Sequence, residues 1–330
     1  MSPPATPSIK RVLIADDIEQ ECVDILKEAG ISVTVQTKQT KEQLTISLAE
    51  HDAVIVRSAT KITADLLAAG AAGRLRLVGR AGTGVDNIDV VAASKHGVLV
   101  MNTPQANSRS AAELTASLIV ALPRHIAAAD ASMKAQKWAR KDYMGEELYG
   151  RTLAVVGLGR IGREVAARLS AWGMKVIGYD PFVSKEEAAK IGIDAMSLEE
   201  IWPLADYITV HVPLIPETEN LINAKVLATC KKGVRIVNVA RGGIINEDDL
   251  LAAIEMGHVA GAALDVFAEE PPTKWSLAKH PRVIATPHLG ASTTDAQLRV
   301  AAEVADNIVQ LKQNGALLGV LNAKEVYGKK

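Results

Sequence analysis

The stretch LAVVGLGRIGREVAARLSAWGMKVIGYD, from Leu153 to Asp180, decides the fold of this chain. An apolar segment runs into three glycines, then into a helical pattern and a second apolar segment that ends in an acid. Gly157 permits a tight turn, Gly159 lets the backbone approach a pyrophosphate, and Gly162 lets helix and strand pack closely. Asp180 lies about 20 residues further on, where a carboxylate can accept hydrogen bonds from the ribose hydroxyls of adenosine. The pattern predicts a dinucleotide-binding unit; the alternative is a glycine-rich turn without a ligand.

The composition of the chain excludes several classes of protein. The 330 residues carry a net charge of −1 and are 48% hydrophobic, which favours two globular domains and gives no support to binding of nucleic acid or anionic membranes. The two cysteines, Cys22 and Cys230, are too few and too far apart for a disulfide framework or a zinc site. We therefore expect free thiols in a reducing compartment and no bound metal.

The ends of the chain predict no targeting or membrane segment. The start, MSPPATPS, is polar and lacks the apolar centre of a signal peptide. The longest apolar run, Leu114–Leu122, is too short to span a bilayer. We expect a cytoplasmic protein with a frayed tail at Gly328–Lys330.

The first hundred residues alternate short apolar runs with helical patterns, which predicts a parallel sheet with crossover helices. The predicted strands are Val12–Ala15, Val33–Val35, Ala53–Val56, Leu77–Val78 and Val98–Val100. The predicted helices are Glu19–Glu28, Lys41–Ala49 and Ala64–Ala69. The first turn after a strand, Asp16–Glu19, has no glycine and two aspartates, so it would repel a pyrophosphate. The dinucleotide site therefore belongs to the second half of the chain.

The second half begins with a long helical pattern over Ser110–Trp138, and the alternation resumes after Asp180. Its predicted strands are Tyr207–His211, Arg235–Val239, Ala260–Asp265 and Val283–Ala285. A final helix is predicted over Asp295–Gln313, with an apolar stripe made of Leu298, Ala301, Val304, Ile308 and Leu311. Because it follows the last strand, this helix is free to cross back to the first domain. We expect residues 1–105 and 293–330 to form one domain and 106–292 the other, with an active site in the cleft of the pair.

Ligands of open α/β sheets bind beyond the carboxyl ends of the strands. In the second half those positions hold His211-Val212-Pro213, Ala240-Arg241, Asp265 and Pro287–Gly290. His288 can exchange protons near neutral pH, and Arg241 offers a planar fork of donors for a carboxylate. Glu270 would fix the tautomer of His288 and raise its pKa if the two are in contact. Taken singly, such a histidine or arginine is as well explained by a structural role.

Corresponding loops of the first half carry arginines beside glycines and hydroxyls. They are Arg57-Ser58, Arg80–Gly84 and Asn102-Thr103, and they suit an anionic, phosphorylated substrate; the alternative is solvated surface arginine. A basic cluster of Lys137, Arg140 and Lys141 either reaches the substrate site of a neighbouring subunit or is a solvated charge run.

Eight segments together are similar to one family. They are IVRSATKIT (55–63), VGRAGTGVDNID (78–89), MNTPQANSRSAAEL (101–114), KWARKDYMGEEL (137–148), GLGRIGREVA (157–166), NVARGGIINE (238–247), ALDVFAEEPP (263–272) and PHLGAST (287–293). From about Ile9 to Asn322 the chain resembles the D-isomer-specific 2-hydroxyacid dehydrogenases. The resemblance implies an α/β fold in which a doubly wound Rossmann domain that binds NAD is inserted into a smaller, flavodoxin-like α/β substrate domain.

The RSATK and GRAGTGVDN segments resemble those of members that act on a phosphorylated 2-hydroxy acid. The resemblance then implies NAD-dependent oxidation of 3-phospho-D-glycerate to 3-phosphohydroxypyruvate, the first step of L-serine biosynthesis. His288 would be the acid/base, Glu270 its partner and Arg241 the anchor of the substrate carboxylate. Implied cofactor contacts are Thr83, Gly157, Gly159, Arg160, Ile161, Gly162, Asp180, His211, Val212, Pro213, Val239, Ala240, Arg241, Asp265, His288, Gly290 and Ala291. Implied substrate contacts are Arg57, Ser58, Arg80, Gly82, Asn102 and Arg140.

Further expectations concern the cofactor, self-association and two departures from the family. Asp180 would repel a 2′-phosphate and residues 181–183 supply no arginine, so NAD is preferred over NADP. The family pairs through the cofactor domain, so a homo-oligomer is expected. Val212 stands where many relatives have threonine, so any cofactor contact there comes from its backbone. The chain stops at Lys330, before the regulatory domains of longer members, which makes serine feedback doubtful unless the sequence is truncated.

Two alternatives remain open on the sequence. One is another 2-hydroxyacid dehydrogenase, acting on hydroxypyruvate, glyoxylate or 2-oxoglutarate. The other is a non-catalytic, NAD-sensing co-repressor, which the combination of Arg241, Glu270 and His288 disfavours.

Overall fold

The computed structural model describes residues 7–328, so the predictions for residues 1–6 and for Lys329 and Lys330 lie outside the described residues. The strands are β1 (Arg11–Ile14), β2 (Ser32–Val35), β3 (Ala53–Val56), β4 (Leu77–Arg80), β5 (Leu99–Met101), β6 (Thr152–Val156), β7 (Lys175–Tyr179), β8 (Asp194–Ala195), β9 (Tyr207–Val210), β10 (Val234–Asn238), β11 (Val259–Leu264) and β12 (Val283–Ala285). The helices are α1 (Gln20–Glu28), α2 (Lys41–Glu50), α3 (Ala64–Ala72), α4 (Val90–Lys95), α5 (Ser108–Ala121), α6 (Ile126–Lys134), α7 (Arg160–Ala171), α8 (Lys185–Ala189), α9 (Leu198–Ile201), α10 (Ala224–Thr229), α11 (Glu247–Glu255), α12 (Thr294–Asn314) and α13 (Ala323–Tyr327). Within residues 7–328 no helix is both long and apolar enough to cross a membrane.

Contacts divide the chain into two compact units. One unit is Met1–Asn107 together with Thr293–Lys330, and the other is Ser108–Ser292. The junctions fall at 107/108 and 292/293, against 105/106 and 292/293 expected from the sequence. We call these the discontinuous unit and the central unit.

The discontinuous unit is built on a five-stranded parallel sheet in the order β2-β1-β3-β4-β5, which is the flavodoxin-like order. Helices α1 and α12 contribute to the core on one face, and α2, α3 and α4 to the core on the other. The stripe on α12 is buried at Ala301, Val304, Ile308 and Leu311, so the final helix does return to the first unit. The prediction that Leu298 belongs to the same stripe is wrong, because this residue is 46% exposed.

The central unit has a seven-stranded parallel sheet in the order β12-β11-β10-β9-β6-β7-β8. Counted from β6, this is the doubly wound dinucleotide-binding order extended by one strand, and the direction of winding reverses between β6 and β9. Helices pack on both faces, which explains the nearly uninterrupted apolar runs of the strands. The predicted fold class is therefore confirmed in both units.

One predicted helix is wrong. The pattern over Ser110–Trp138 forms two helices, α5 and α6, and not one. Pro123 lies between them, and it lacks the backbone N–H that a continuous helix requires. His125, with φ of 53°, then adopts a left-handed conformation just before α6 begins.

Candidate active site

The turn between β6 and α7 requires glycine for two different steric reasons. Gly157 has φ of 97°, and a Cβ there would lie 2.5 Å from the carbonyl oxygen of His211. A Cβ at Gly162 would lie 2.0 Å from the carbonyl oxygen of Gly157. No side chain can occupy either position without moving the backbone.

Gly159 differs because it faces open space. A Cβ built there meets no atom within 4 Å, and Gly159 is the N-cap of α7 without a side-chain capping hydrogen bond. The first-turn N–H groups of α7, including those of Arg160 and Ile161, are therefore not capped by a side chain. Such a helix N-terminus is suited to bind an anion, and a pyrophosphate fits it.

Asp180, directly after β7, is hydrogen-bonded to the turn between β6 and α7. Its Oδ2 accepts a hydrogen bond from the Leu158 N–H at 2.8 Å, and its Oδ1 accepts one from the Phe182 N–H at 2.8 Å. The uncapped N–H groups of α7 can donate hydrogen bonds to the pyrophosphate of NAD, and the Asp180 carboxylate beside them can accept hydrogen bonds from the ribose hydroxyls. The central unit therefore fits NAD.

His288 and Glu270 form a hydrogen-bonded pair. His288 Nδ1 lies 2.6 Å from Glu270 Oε2 and donates to it, and both side chains are partly exposed. The hydrogen bond from Nδ1 fixes the ring so that Nε2 points elsewhere, and Nε2 has no hydrogen-bond partner among residues 7–328. The predicted contact between the two side chains is thus present.

The pair shifts both pKa values in the direction that favours charge on each partner. The hydrogen bond to Glu270 raises the pKa of His288, against the opposing effect of burial, and the charges of Glu270 and Asp265 add to the rise. Burial acts to raise the pKa of Glu270, but the hydrogen bond and charge of His288, with the Phe267 N–H and Arg241, lower it below its ordinary value. Glu270 is therefore a carboxylate at neutral pH and stabilises protonated His288.

Asp265 holds the loop that presents His288. Its side chain is fully buried; Oδ1 accepts from the Thr286 hydroxyl at 2.5 Å and the Leu289 N–H at 2.7 Å, and Oδ2 accepts from the Gly290 N–H at 2.8 Å. His288 has φ of 54°, an uncommon conformation outside glycine, and its N–H donates to the carbonyl oxygen of Asp265 at 2.8 Å. Asp265 thus positions the histidine loop; its predicted cofactor contact stays a prediction.

Arg241 lies on a loop that Asn238 shapes. The buried side chain of Asn238, at the end of β10, donates to the Arg241 carbonyl oxygen at 2.8 Å and accepts from the Ala240 N–H at 2.9 Å. Arg241 Nη1 donates to the Ala240 carbonyl oxygen at 2.7 Å. The charge of Arg241 lowers the pKa of Glu270.

The other cofactor positions predicted in the central unit follow the same strands. His211 is bonded through its N–H to the Val156 carbonyl oxygen at 2.7 Å, and burial lowers its pKa to about 4, so the ring is neutral. Val212 Cγ1 lies 3.0 Å from the Cβ position of Gly157, so it borders the glycine turn. The remaining residues of this set are Pro213, Val239, Ala240, Gly290 and Ala291, and their cofactor contacts stay predictions.

Two predicted substrate arginines lie at the carboxyl ends of strands of the discontinuous unit. Arg57, after β3, donates from Nη1 to the Asp17 carbonyl oxygen at 3.1 Å, and its other guanidinium N–H groups have no hydrogen-bond partner in the part of the chain that is described. Ser58 beside it is exposed. Arg80 ends β4, and a Cβ at Gly82 would lie 1.4 Å from Arg80 Nη1. Glycine at 82 is therefore required for this placement of the Arg80 guanidinium.

Asn102 is hydrogen-bonded to Thr83, and Thr83 is hydrogen-bonded to Asn107, the last residue in the first segment of the discontinuous unit. The buried Asn102 side chain donates from Nδ2 to the Thr83 carbonyl oxygen at 2.6 Å. Thr83 Oγ1 donates to Asn107 Oδ1 at 2.6 Å. Asn102 therefore holds the loop after β4, and direct contact of Asn102 with substrate and of Thr83 with the cofactor stay predictions.

Arg140 begins a short 3-10 turn, Arg140–Tyr143, in the central unit. Its side chain is exposed, as are those of Lys137 and Lys141. Reach toward the substrate of another subunit stays a prediction.

The cysteines take no part in this site. Cys22 and Cys230 are free and buried. Burial raises the pKa of each thiol to about 12, assisted at Cys22 by Glu19. No group of His, Cys, Asp or Glu within the described range 7–328 could hold a metal ion.

Sequence reasoning did not single out Asn238, Thr286 or Asn107, which hold the loops of the candidate site. Each lies at or just beyond the carboxyl end of a strand, or at a unit junction. A search for amides and hydroxyls at those positions, as well as for charged groups, would have found the first two.

Comparison with known proteins agrees with this geometry. Residues 116–290 match the family described as "D-isomer specific 2-hydroxyacid dehydrogenase, NAD binding domain". The D-3-phosphoglycerate dehydrogenase of Rattus norvegicus is 53% identical over 317 residues, which are 96% of this chain and 59% of that protein. The enzyme of the same name from Bacillus subtilis is 49% identical over 94% of this chain and 59% of that protein.

A solved structure is also similar. The D-lactate dehydrogenase of Aquifex aeolicus, complexed with NAD and lactic acid, superposes with a TM-score of 0.82 at 28% identity, covering 95% of this chain and 99% of that one. The chain spans about three fifths of the length of the curated relatives it matches. The family match covers more than half of the chain, including the glycine turn, Arg241, Glu270 and His288. The chain therefore belongs to the D-isomer-specific 2-hydroxyacid dehydrogenases, and its central unit contains their NAD-binding domain.

Proposed function

We propose that this protein oxidises 3-phospho-D-glycerate to 3-phosphohydroxypyruvate with NAD, as the first step of L-serine biosynthesis. The observation that carries the chemistry is the hydrogen bond of 2.6 Å between His288 and Glu270. The choice of substrate is supported by 53% identity over 96% of the chain to a D-3-phosphoglycerate dehydrogenase, against 28% to a D-lactate dehydrogenase.

His288 is the general base of the proposed oxidation. Its Nε2 removes the proton of the C2 hydroxyl as the carbonyl forms, and the ring becomes an imidazolium. NAD, when bound, supplies the acceptor for the hydride of C2. Glu270 remains ionised and stabilises the imidazolium through Nδ1, as the directions of both pKa shifts require. In the reverse direction the same Nε2–H protonates the carbonyl oxygen.

Arg241 binds the carboxylate of the substrate and polarises the developing carbonyl. Its planar fork can donate two parallel hydrogen bonds to a carboxylate, which a lysine cannot reproduce. The Asn238 side chain holds the backbone at Ala240 and Arg241, so the position of the Arg241 Cα is fixed and only its side chain can move.

The phosphate of the substrate is proposed to bind the discontinuous unit. Arg57 and Ser58 are the principal donors, because the guanidinium has N–H groups without a partner among the described residues and the hydroxyl is exposed. The other proposed substrate contacts are Arg80, Gly82, Asn102 and, from another subunit, Arg140.

The cofactor is held by the central unit. The uncapped N-terminus of α7, with Gly157, Gly159, Arg160, Ile161 and Gly162, is proposed to hold the pyrophosphate. Asp180 accepts from the adenosine ribose and repels the 2′-phosphate of NADP.

Self-association through the central unit is proposed as well. Several large apolar side chains in α6 and in the segment between α6 and β6 are strongly exposed, and apolar surface on a partner chain could cover them. They are Ile126 at 55%, Met133 at 54%, Trp138 at 81%, Met144 at 84% and Tyr149 at 80%. A second copy of the chain covers this surface in our proposal, which would place Arg140 at the same interface.

The test is NAD reduction with 3-phospho-D-glycerate, D-glycerate or D-lactate as substrate, followed by absorbance of NADH. We expect turnover with the phosphorylated acid at a kcat/KM at least tenfold above that with either other acid. Preference for D-glycerate would assign a hydroxypyruvate reductase, and turnover of glycolate or D-2-hydroxyglutarate in place of the phosphorylated acid would assign a glyoxylate or 2-oxoglutarate reductase. NADH binding without turnover of any of these acids would favour a non-catalytic, NAD-sensing protein.

A further inference from the structure

The loop of residues 57–60 is fixed by side chains to which no role has been given. It follows β3 and carries Arg57 and Ser58, the proposed phosphate donors. Residues in such a loop are exposed and lack the strand hydrogen bonds that would define their conformation, so something else must define it.

Asp16 binds the N–H side of this loop. Asp16 lies just after β1, the strand that pairs with β3, and it is only 8% exposed. Oδ2 accepts from the Arg57 N–H at 2.6 Å and the Thr60 N–H at 3.2 Å, and Oδ1 accepts from the Thr60 hydroxyl at 2.6 Å. One buried carboxylate thus receives three hydrogen bonds from the two ends of the loop.

Asn87 binds the carbonyl side of the same two residues. It lies beyond the other neighbour of β3, in the loop after β4. Its Nδ2 donates to the Arg57 carbonyl oxygen at 2.7 Å and to the Thr60 carbonyl oxygen at 2.6 Å. The backbone N–H and carbonyl groups of Arg57 and Thr60 are therefore all engaged, and Ser58 and Ala59 form the tip between two fixed residues.

The neighbouring Asp17 holds the arginine side chain as well. Its carbonyl oxygen accepts from Arg57 Nη1 at 3.1 Å. The turn after β1, whose two aspartates would repel a pyrophosphate, therefore fixes both the backbone and the guanidinium of Arg57.

We propose that Asp16 and Asn87 are positioning residues for the phosphate of the substrate. Neither touches the substrate; each acts through the 57–60 loop, and the inference rests on the proposed binding of phosphate by Arg57 and Ser58. Holding the donors in the bound conformation removes an ordering cost from binding. Loss of the clamp then weakens binding of the phosphorylated substrate and leaves the hydride-transfer step intact.

Thr60 offers the cleanest test, because its hydroxyl bond to Asp16 can be removed at nearly constant volume. KM and kcat are measured for Thr60→Val and Thr60→Ser in the direction of NADH oxidation, with 3-phosphohydroxypyruvate and with hydroxypyruvate. For Thr60→Val we expect KM for the phosphorylated acid to rise about fivefold, as for one lost hydrogen bond. Its kcat stays within about twofold, since no reacting group changes. Thr60→Ser keeps the hydroxyl and should match the wild type.

Asn87→Ala is the second variant and removes both carbonyl contacts. We expect a larger rise in KM for 3-phosphohydroxypyruvate than in Thr60→Val, no change in KM for hydroxypyruvate and no change in NADH affinity. Thermal unfolding of each variant shows whether the chain is folded at the assay temperature.

The outcomes separate the two levels of inference. A wild type without preference for the phosphorylated acid would overturn the proposed function and the clamp with it. A wild type with that preference, but with Thr60→Val and Asn87→Ala unchanged in KM, would overturn the clamp alone. Equal losses in Thr60→Val and Thr60→Ser, or a loss in kcat with KM unchanged, would also contradict it.

Discussion

The first strand–helix turns of the two sheets are built in opposite ways. After β6 the chain turns through glycines, and the N-terminus of α7 has no side-chain cap. After β1 it turns through Asp16 and Asp17, and the Asp16 carboxylate is turned inward onto a neighbouring loop. In our proposal the glycine turn presents backbone N–H groups to the pyrophosphate, whereas the acidic turn supports another loop whose arginine binds the phosphate of the substrate.

The two sheets also share one arrangement, in which an aspartate after a strand binds the backbone of a neighbouring loop. Asp180, Asp16 and Asp265 each follow a strand, and each accepts a backbone N–H from another strand-end loop. The held loops carry the glycine turn, Arg57 and His288. Each of these three acids thus holds a neighbouring strand-end loop, and its negative charge alone does not reveal that role.

Removing His288 tests the proposed proton transfer separately from the binding roles proposed for the glycine turn and for the 57–60 loop. For His288→Asn we expect kcat to fall about 10³-fold, a typical contribution of general acid–base catalysis, with NADH affinity unchanged by fluorescence titration. His96→Asn, at an exposed position in the discontinuous unit, is the matched control and should retain full activity. Retained turnover in His288→Asn would remove the histidine from proton transfer.

Two glycines of the same turn can be separated by alanine. Gly159→Ala adds a Cβ to open space, so we expect the unfolding temperature to stay within a few degrees. The Kd of NADH should rise at least about tenfold, because that space is where we propose that the pyrophosphate binds. In Gly162→Ala the Cβ would lie 2.0 Å from a carbonyl oxygen, and the unfolding free energy should fall by about 1–3 kcal/mol. Unchanged NADH affinity in Gly159→Ala would contradict the assignment.

The smallest effect we expect is a displacement of the pH profile. Oxidation needs neutral His288, so kcat/KM rises with pH through the pKa of this residue. Because the bond to Glu270 raises that pKa, Glu270→Gln should move the rising limb to lower pH. Glu269→Gln, the adjacent exposed acid, is the control and should leave the limb in place. A rising limb that stays in place or moves to higher pH in Glu270→Gln would contradict the claim that Glu270 raises the pKa of His288.

The sequence was sufficient for the features that local spacing and parallel topology determine. The glycine turn, Asp180 and the gathering of Arg241 and His288 at strand ends follow from strand order. The contacts of Asp16 and Asn87 could not be predicted, because Asp16 bonds residues 41 and 44 positions away and Asn87 bonds residues 27 and 30 away. The error at Ser110–Trp138 was avoidable, since Pro123 is visible in the sequence.

The most direct test of the account is the ratio of kcat/KM for 3-phosphohydroxypyruvate to that for hydroxypyruvate, in the wild type and in Arg57→Gln. Charge-assisted hydrogen bonds to a phosphate predict a wild-type ratio of about 10² or more. The ratio should fall at least about tenfold in Arg57→Gln, with NADH affinity unchanged, and Arg76→Gln before β4 should behave as the wild type. A wild-type ratio near one, or an unchanged ratio in Arg57→Gln, would contradict it.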